Sequence, residues 1–354
     1  MNELLKIILS MALTSLVLIP FVWGFGRIFN RFLSKRKIYY LWLVVYLFLT
    51  VPFSLFFLLP YKNSDFMWLN RTGFEGVTSI VMDGNGVSME RDAKITFWMT
   101  LLDYLWLIWL IIFLLIFIYR IASYRNFKKY VFSGAQNVEN INQLNMLAEI
   151  SESLKIKKPV ELLINPLISS PIFIGLKKQV IILPDKSYSE KELKFIFRHE
   201  LVHCKRKDMF YVWAAQFYTC VYWFNPFVYL MNKRIQKDRE LACDEAVLNA
   251  ISANEFLGYG DTLLSSLTKA GNYKEAHVSV SLHENAKALK ERLEFIANYK
   301  KTTKPLKFIL PIFLIVFCSI GITLSAYQAE ILVKEKQKGI VIKKSGSNDA
   351  NFSR

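Results

Sequence analysis

Four runs of about 20 apolar residues constrain this chain more than any other feature, because that is the length a helix needs to cross a hydrocarbon layer. They are Leu4 to Phe25, Ile38 to Leu59, Ile95 to Ile118 (which contains Asp103) and Leu306 to Ala326. In lipid every backbone N–H and C=O must find its partner inside the segment, so such runs are helices. The expected class is an α-helical multi-pass membrane protein. The first run is read as a retained span. Its apolar core is too long for a secretory signal, and no small-x-small cleavage site follows. Composition agrees: 53% of residues are hydrophobic.

The formal charge of +16 is explained first by the ends of these runs. Arg27, Arg31, Lys35, Arg36 and Lys37 follow the first run, with no acid among them. Arg120, Arg125, Lys128 and Lys129 follow the third, whereas the loop from Tyr61 to Lys94 has slightly more acids than bases. The positive-inside rule then puts the first loop in the cytosol, the 61–94 loop outside, and the long stretch from about 120 to 305 in the cytosol. Direct nucleic-acid binding is not expected, since no DNA-binding motif accompanies the charge; membrane lipid is the expected partner of the apolar runs. Cys204, Cys220, Cys243 and Cys318 show no C-x-x-C spacing and read as reduced, packed thiols.

The expected layout is therefore 1–119, three spans with an outside loop at about 61–94; 120–305, a cytosolic domain; 306–326, a fourth span; and 327–354, a short outside tail. Within the cytosolic part, Met209 to Met231 is apolar but interrupted by Asn225-Pro226, an N-cap followed by a first helical position. It reads as two membrane-associated helices at about 209–231, not as a fifth span. Ile172–Ile174 and Gln179–Leu183 read as a β-hairpin turning at Gly175-Leu176-Lys177. Asp83-Gly84-Asn85-Gly86 reads as a turn in the outside loop.

Residues 199–203 are His-Glu-Leu-Val-His, the H-E-x-x-H pattern. Ser189 and Glu192 form a capping box that starts a helix just upstream. On a helix, positions i and i+4 share a face, so His199 and His203 can bind one Zn²⁺. Glu200, offset by one residue, reaches the attacking water as general base. The flanking Phe195-Ile196-Phe197 and Leu201-Val202 bury such a helix. The expected fold of this domain is mainly α with some β (α+β), zincin-like.

A catalytic zinc takes a third protein ligand and keeps one open position. Glu240 and Asp244 lie one turn apart on the helix opened by Pro226. Two readings of that face stand side by side: Glu240 as ligand with Asp244 accepting from a histidine N–H, or an ordinary solvated run of charges, Lys237 to Glu240. Cys243 is a third candidate ligand, pointing away from Glu240.

His-Glu-Leu-Val-His, then Trp223-Phe224-Asn225-Pro226, then Glu240-Leu-Ala-Cys-Asp-Glu-Ala-Val247 together resemble the BlaR/MecR family of membrane zinc metallopeptidases. Ser170-Pro171 through Leu183-Pro184 and Lys290-Glu291-Arg292-Leu293 are similar too. The resemblance runs from the first apolar run to the fourth. It implies zinc held by His199, His203 and Glu240, with Glu200 as base. It also implies a protease that relays an outside signal by inactivating a cytosolic winged-helix repressor, often with self-cleavage. Ala286 to Lys301, polar, placed between the soluble domain and the fourth run and similar to the family there, is the candidate segment for that cut; the other reading is a charged amphipathic helix that merely joins the two.

The chain departs from the sensor members of that family. They carry an outside penicillin-binding domain after the fourth span, whereas 28 residues follow Ala326, and the expectation is a sensorless relative or truncated product. Ser266-Leu267-Thr268-Lys269 and Lys344-Ser345-Gly346 match motifs of penicillin-recognising enzymes. On this topology they lie on opposite sides of the membrane and read as chance. The alternative function is a housekeeping zinc protease of membrane-protein quality control. The sequence fixes no oligomeric state.

Overall fold

The computed structural model describes residues 3–30, 32–54, 89–175, 178–267, 278–300 and 308–349. The Asp83–Gly86 turn, the end of the second apolar run, Leu176-Lys177, and Thr268-Lys269 of the S-x-x-K match lie outside them. The described chain is mostly helical, with one small sheet. It divides into two compact units. One holds Met1–Trp23, Leu43–Phe113 and Lys307–Arg354; the other holds Gly24–Trp42 and Leu114–Leu306.

Among the described residues, three helical stretches are long and apolar enough to cross a membrane: Leu5–Ile28, Tyr104–Ser133 and Ile309–Glu330. They belong to α1 (Glu3–Ile28), α3 (Met89–Ser133) and α10 (Ile309–Asp349). The second expected span appears as the 16-residue α2 (Lys35–Thr50). In the first unit, a polar contact joins α1 to α10: Ser10 Oγ donates to Gln328 Oε1 at 2.6 Å. Phe21 stacks on Phe313 with centroids 5.3 Å apart. With no water to compete, such hydrogen bonds and close packing are what associate helices in lipid.

The second unit contains a sheet of order β1-β2-β4-β3: β1 (Gln136–Asn137), β2 (Val160–Asn165), β3 (Ile172–Ile174) and β4 (Gln179–Pro184). β2 and β4 are parallel, while β3 pairs antiparallel with β4 in the register Ile172↔Ile182, Phe173↔Ile181, Ile174↔Val180. β4 is the buried strand, and its side chains alternate between faces. Ile181 and Leu183 enter a core with Leu147, Ile150, Phe197 and Leu201; Val180 and Ile182 enter another with Val131, Ile168 and Ile174. The first core lies under α4 (Ile141–Ser153) and α5 (Glu190–Arg206), the second under the end of α3. The hairpin turn needs Gly175: a Cβ there would sit 2.6 Å from the Lys178 carbonyl oxygen.

Local signals fix the helix ends. α4 starts where the Asn140 side chain accepts from the Asn142 and Gln143 amides. α5 opens on the reciprocal capping box of Ser189 and Glu192 and stops at Lys207, whose φ is 55°. α6 (Asp208–Val221) follows at once. The apolar stretch at 209–231 is thus divided between two helices. α7 (Pro226–Leu248) begins with Pro226 in its first turn and with Asn225 accepting from the Phe227 amide. α8 (Phe256–Leu267) and α9 (Val278–Ala297) close the unit. Phe195, Val247, Leu248, Tyr259 and Ile296 form the core that holds α5, α7, α8 and α9 together, and that core decides what surrounds the two histidines.

Candidate metal centre

The helical spacing places His199 and His203 with their rings 4.9 Å apart and their Nε2 atoms 3.3 Å apart. α7 brings Glu240 to the same point. Its Oε2 is 3.4 Å from His199 Nε2 and 3.8 Å from His203 Nε2. The edge of a tetrahedron with metal–ligand bonds of about 2.0–2.1 Å is about 3.4 Å. The three atoms therefore fit three corners around one small cation. The other Glu240 oxygen is occupied: Arg239 donates to Oε1 from Nη2 at 2.8 Å and from Nε at 3.1 Å. That fork turns Oε2 toward the imidazoles.

Each histidine is oriented from behind. His203 Nδ1–H donates to Asp208 Oδ2 at 2.7 Å. Asp208 is itself held by Arg206, through Nε at 3.1 Å and Nη2 at 2.7 Å, and by the Tyr39 hydroxyl at 3.3 Å. His199 Nδ1–H donates to Tyr259 Oη at 2.9 Å, and Tyr259 donates to Asp244 Oδ1 at 2.6 Å. Arg292 forks onto both Asp244 oxygens at 2.8 Å. Asp244 lies 3.5 Å from His199 Nδ1, so its firm link to that ring runs through Tyr259. With both Nδ1 atoms committed as donors, each imidazole in its neutral form presents its Nε2 lone pair toward Glu240. Three acceptors converging on one point at the wall of a cleft call for a cation.

The electrostatics point the same way. Burial by itself would raise Glu240, but Arg239 and then His203 outweigh it and hold the carboxyl well below the ordinary glutamate range. Glu240 is therefore an ionised donor. Burial raises the Glu200 carboxyl, against the pull of His199 and His203. Burial would lower His203, but Cys243, Glu240 and Asp208 carry it well above the usual imidazole value. The site attracts positive charge.

His199, His203 and Cys243 form a second three-donor group, with ligand atoms within 4.8 Å of one another. Cys243 Sγ meets His203 at Nδ1, 3.3 Å away, the nitrogen already given to Asp208. Burial also raises the Cys243 thiol despite His203, and metals take thiolates. Between the two sets the geometry is better for Glu240.

His199, His203, Asp208, Arg239, Glu240 and Arg292 line a cleft of about 290 Å³, together with Ser170, Phe173, Met209 and Tyr259. Glu200 lines it too, one residue beyond His199. One wall is β3, the edge strand, which pairs with β4 and no other strand among the described residues.

Residues 6–296 match the family described as BlaR1 peptidase M56. The chain belongs to that family. It is 32% identical over 158 residues to Regulatory protein BlaR1 of Bacillus licheniformis, covering 44% of this chain and 26% of that protein. It is 30% identical over 153 residues to Methicillin resistance mecR1 protein of Staphylococcus aureus, covering 42% and 26%. Regulatory protein BlaR1 of Staphylococcus aureus matches at 30% over 187 residues, covering 51% and 31%. The chain thus spans about a quarter to a third of the length of these M56 relatives.

Sequence reasoning overlooked Asp208, Tyr259, Arg206 and Arg292 as neighbours of His199, His203 and Glu240. The Asp244–Arg292 pair is the most exacting part of this M56 centre, because Asp244 is fully buried and the Arg292 side chain is only 14% exposed. Asp244→Ala leaves the guanidinium only a 3.5 Å contact with Glu240 Oε2, and the expected loss of stability is about 3 kcal/mol. Asp244→Ala with Arg292→Met should lose less, since no charge is left unpaired. Denaturation of the detergent-solubilised chain measures both; a single-variant loss below about 1 kcal/mol would contradict a desolvated pair.

Proposed function

We propose that the chain is a multi-pass membrane zinc endopeptidase with a cytosolic, zincin-like catalytic domain, which relays an outside signal by cleaving a cytosolic winged-helix repressor of the antibiotic-resistance type. The observation that carries the enzymatic part is the triangle of His199 Nε2, His203 Nε2 and Glu240 Oε2, with sides of 3.3, 3.4 and 3.8 Å, in a cleft that Glu200 also lines. Membership of the M56 family supports the same reading. The regulatory part rests on relatives named as a regulatory protein and a methicillin-resistance protein. The repressor as substrate, and self-cleavage between Ala286 and Lys301, belong to this proposal.

In it, His199, His203 and Glu240 hold Zn²⁺. When bound, the ion supplies Lewis acidity to the scissile carbonyl and to the attacking water. Glu200 takes a proton from that water at its carboxylate and delivers it to the leaving amine. Asp208 and the Tyr259–Asp244 pair keep the imidazoles in the tautomer that offers Nε2. A peptide laid along β3 as an added strand is fixed by backbone hydrogen bonds, which bring the scissile bond past Glu200.

The topology is tested by reporter fusions. Fusions after Lys129 and near Lys237 are expected to score cytosolic, and one near Gly84 outside. An outside score at Lys237 would mean that the 209–231 stretch spans the membrane, and the cytosolic peptidase would be lost. The repressor is tested by co-expressing the chain with a winged-helix repressor of the antibiotic-resistance type. Fragments that require Glu200 support the proposal; an intact repressor under inducing conditions contradicts it.

A further inference from the structure

A second cavity, of about 310 Å³, adjoins the first along β3. Phe173 lines both cavities. Ser170 to Ile172 face the metal cleft, and Gly175 and Gln179 face the second cavity. The walls of the second are basic: Lys155, Lys157 and Lys158 come from the loop after α4, and Lys205 and Lys207 from the end of α5. Among the described residues, no acidic side chain lines it. Among the described residues, none of these five lysines forms an ion pair. Phe210, exposed at the start of α6, stands in the same wall.

The backbone adds an independent observation. Lys155 (φ 58°) and Lys207 (φ 55°) are the only non-glycine residues with positive φ among the described residues, and both line this cavity. Each sits just past a helix C-terminus, where glycine is the low-cost residue. A lysine there also complements the helix dipole. That effect needs a charge near each helix end; it does not require both side chains, and three more, around one hollow.

We propose that this cavity is an extended substrate subsite that selects acidic side chains at a fixed distance from the scissile bond. The inference rests on the peptidase reading. A peptide added to the free edge of β3 runs from the metal cleft into the basic cavity without leaving the strand, and its aspartate or glutamate side chains meet unpaired lysines there. An anionic lipid headgroup has matching charge. The continuity through Phe173 favours the peptide.

The test uses the full chain in detergent with a proteome-derived peptide library, Glu200→Ala serving as the blank. Cleaved peptides should be enriched in Asp and Glu at one position relative to the cut. A matched pair, acidic against its amide isostere, should then differ about tenfold in kcat/KM, mostly through KM. The triple variant Lys155→Gln, Lys157→Gln, Lys158→Gln should bring that ratio to about one while keeping its zinc. Lys207→Gly, which suits the left-handed backbone, should lower it part-way. Cleavage without acidic enrichment, or an unchanged ratio in the triple variant, would overturn the subsite. So would a triple variant whose only defect is weaker binding to phosphatidylglycerol vesicles, which would assign the cavity to lipid. Absence of any Glu200-dependent cleavage would remove the peptidase reading, and the subsite with it.

Discussion

Glu200→Ala is expected to keep its zinc and to lose peptidase activity by about 10²–10⁴-fold, the usual contribution of a positioned general base. The separation of the two effects follows from the helix. His199 and His203 point one way from α5 and are anchored by Tyr259 and Asp208, whose partners do not include Glu200. Removing the Glu200 carboxylate therefore leaves the three donor atoms where they are. It also removes a buried carboxyl whose protonated form burial favours, so the fold should not suffer. The readouts are zinc content by elemental analysis and hydrolysis of a quenched peptide, both on the detergent-solubilised chain. A fall in zinc parallel to the fall in activity would mean that Glu200 holds the metal and does not act as base. A blot of tagged chain against Glu200→Ala extends the test to self-cleavage: a fragment equally abundant in both comes from another protease.

What the sequence made legible were the features with a short period or a fixed local grammar. Ser189 and Glu192 are three residues apart, and the capping box is there. Asn225-Pro226 announces a helix start, and α7 starts there. The broken apolar stretch Ile172 to Leu183 reads as a hairpin, and β3 and β4 pair antiparallel. The i, i+4 histidines share a face because the helix period requires it.

The groups behind the histidines were not legible for a different reason. Tyr259 is 60 residues from His199, and Arg292 is 48 from Asp244. Their meeting depends on how α8 and α9 pack in the core of Phe195, Val247 and Ile296. No periodicity within either helix carries that information. Asp208 is five residues from His203, yet in the sequence it ends a run of charges, Lys205-Arg206-Lys207-Asp208. The left-handed Lys207 breaks α5 from α6 and swings Asp208 back under the His203 ring. A single acid opening an apolar stretch was the one available hint. The face of Glu240 and Asp244 looked like an ordinary charged surface because the arginines that bury it, Arg239 and Arg292, neutralise it in three dimensions.

The central claim is that Glu240, with His199 and His203, completes the metal's protein ligands. The most direct measurement is zinc stoichiometry and affinity in three proteins: the unaltered chain, Glu240→Gln and Cys243→Ala. Loss of an outer partner of a metal ligand typically costs about 10–100-fold in affinity, and loss of a ligand itself should exceed that. The account predicts about one zinc per unaltered chain, the same in Cys243→Ala, and an affinity lowered more than about 100-fold in Glu240→Gln. Zinc retained by Glu240→Gln and lost by Cys243→Ala would contradict it, and would move the third ligand to the sulfur beside His203.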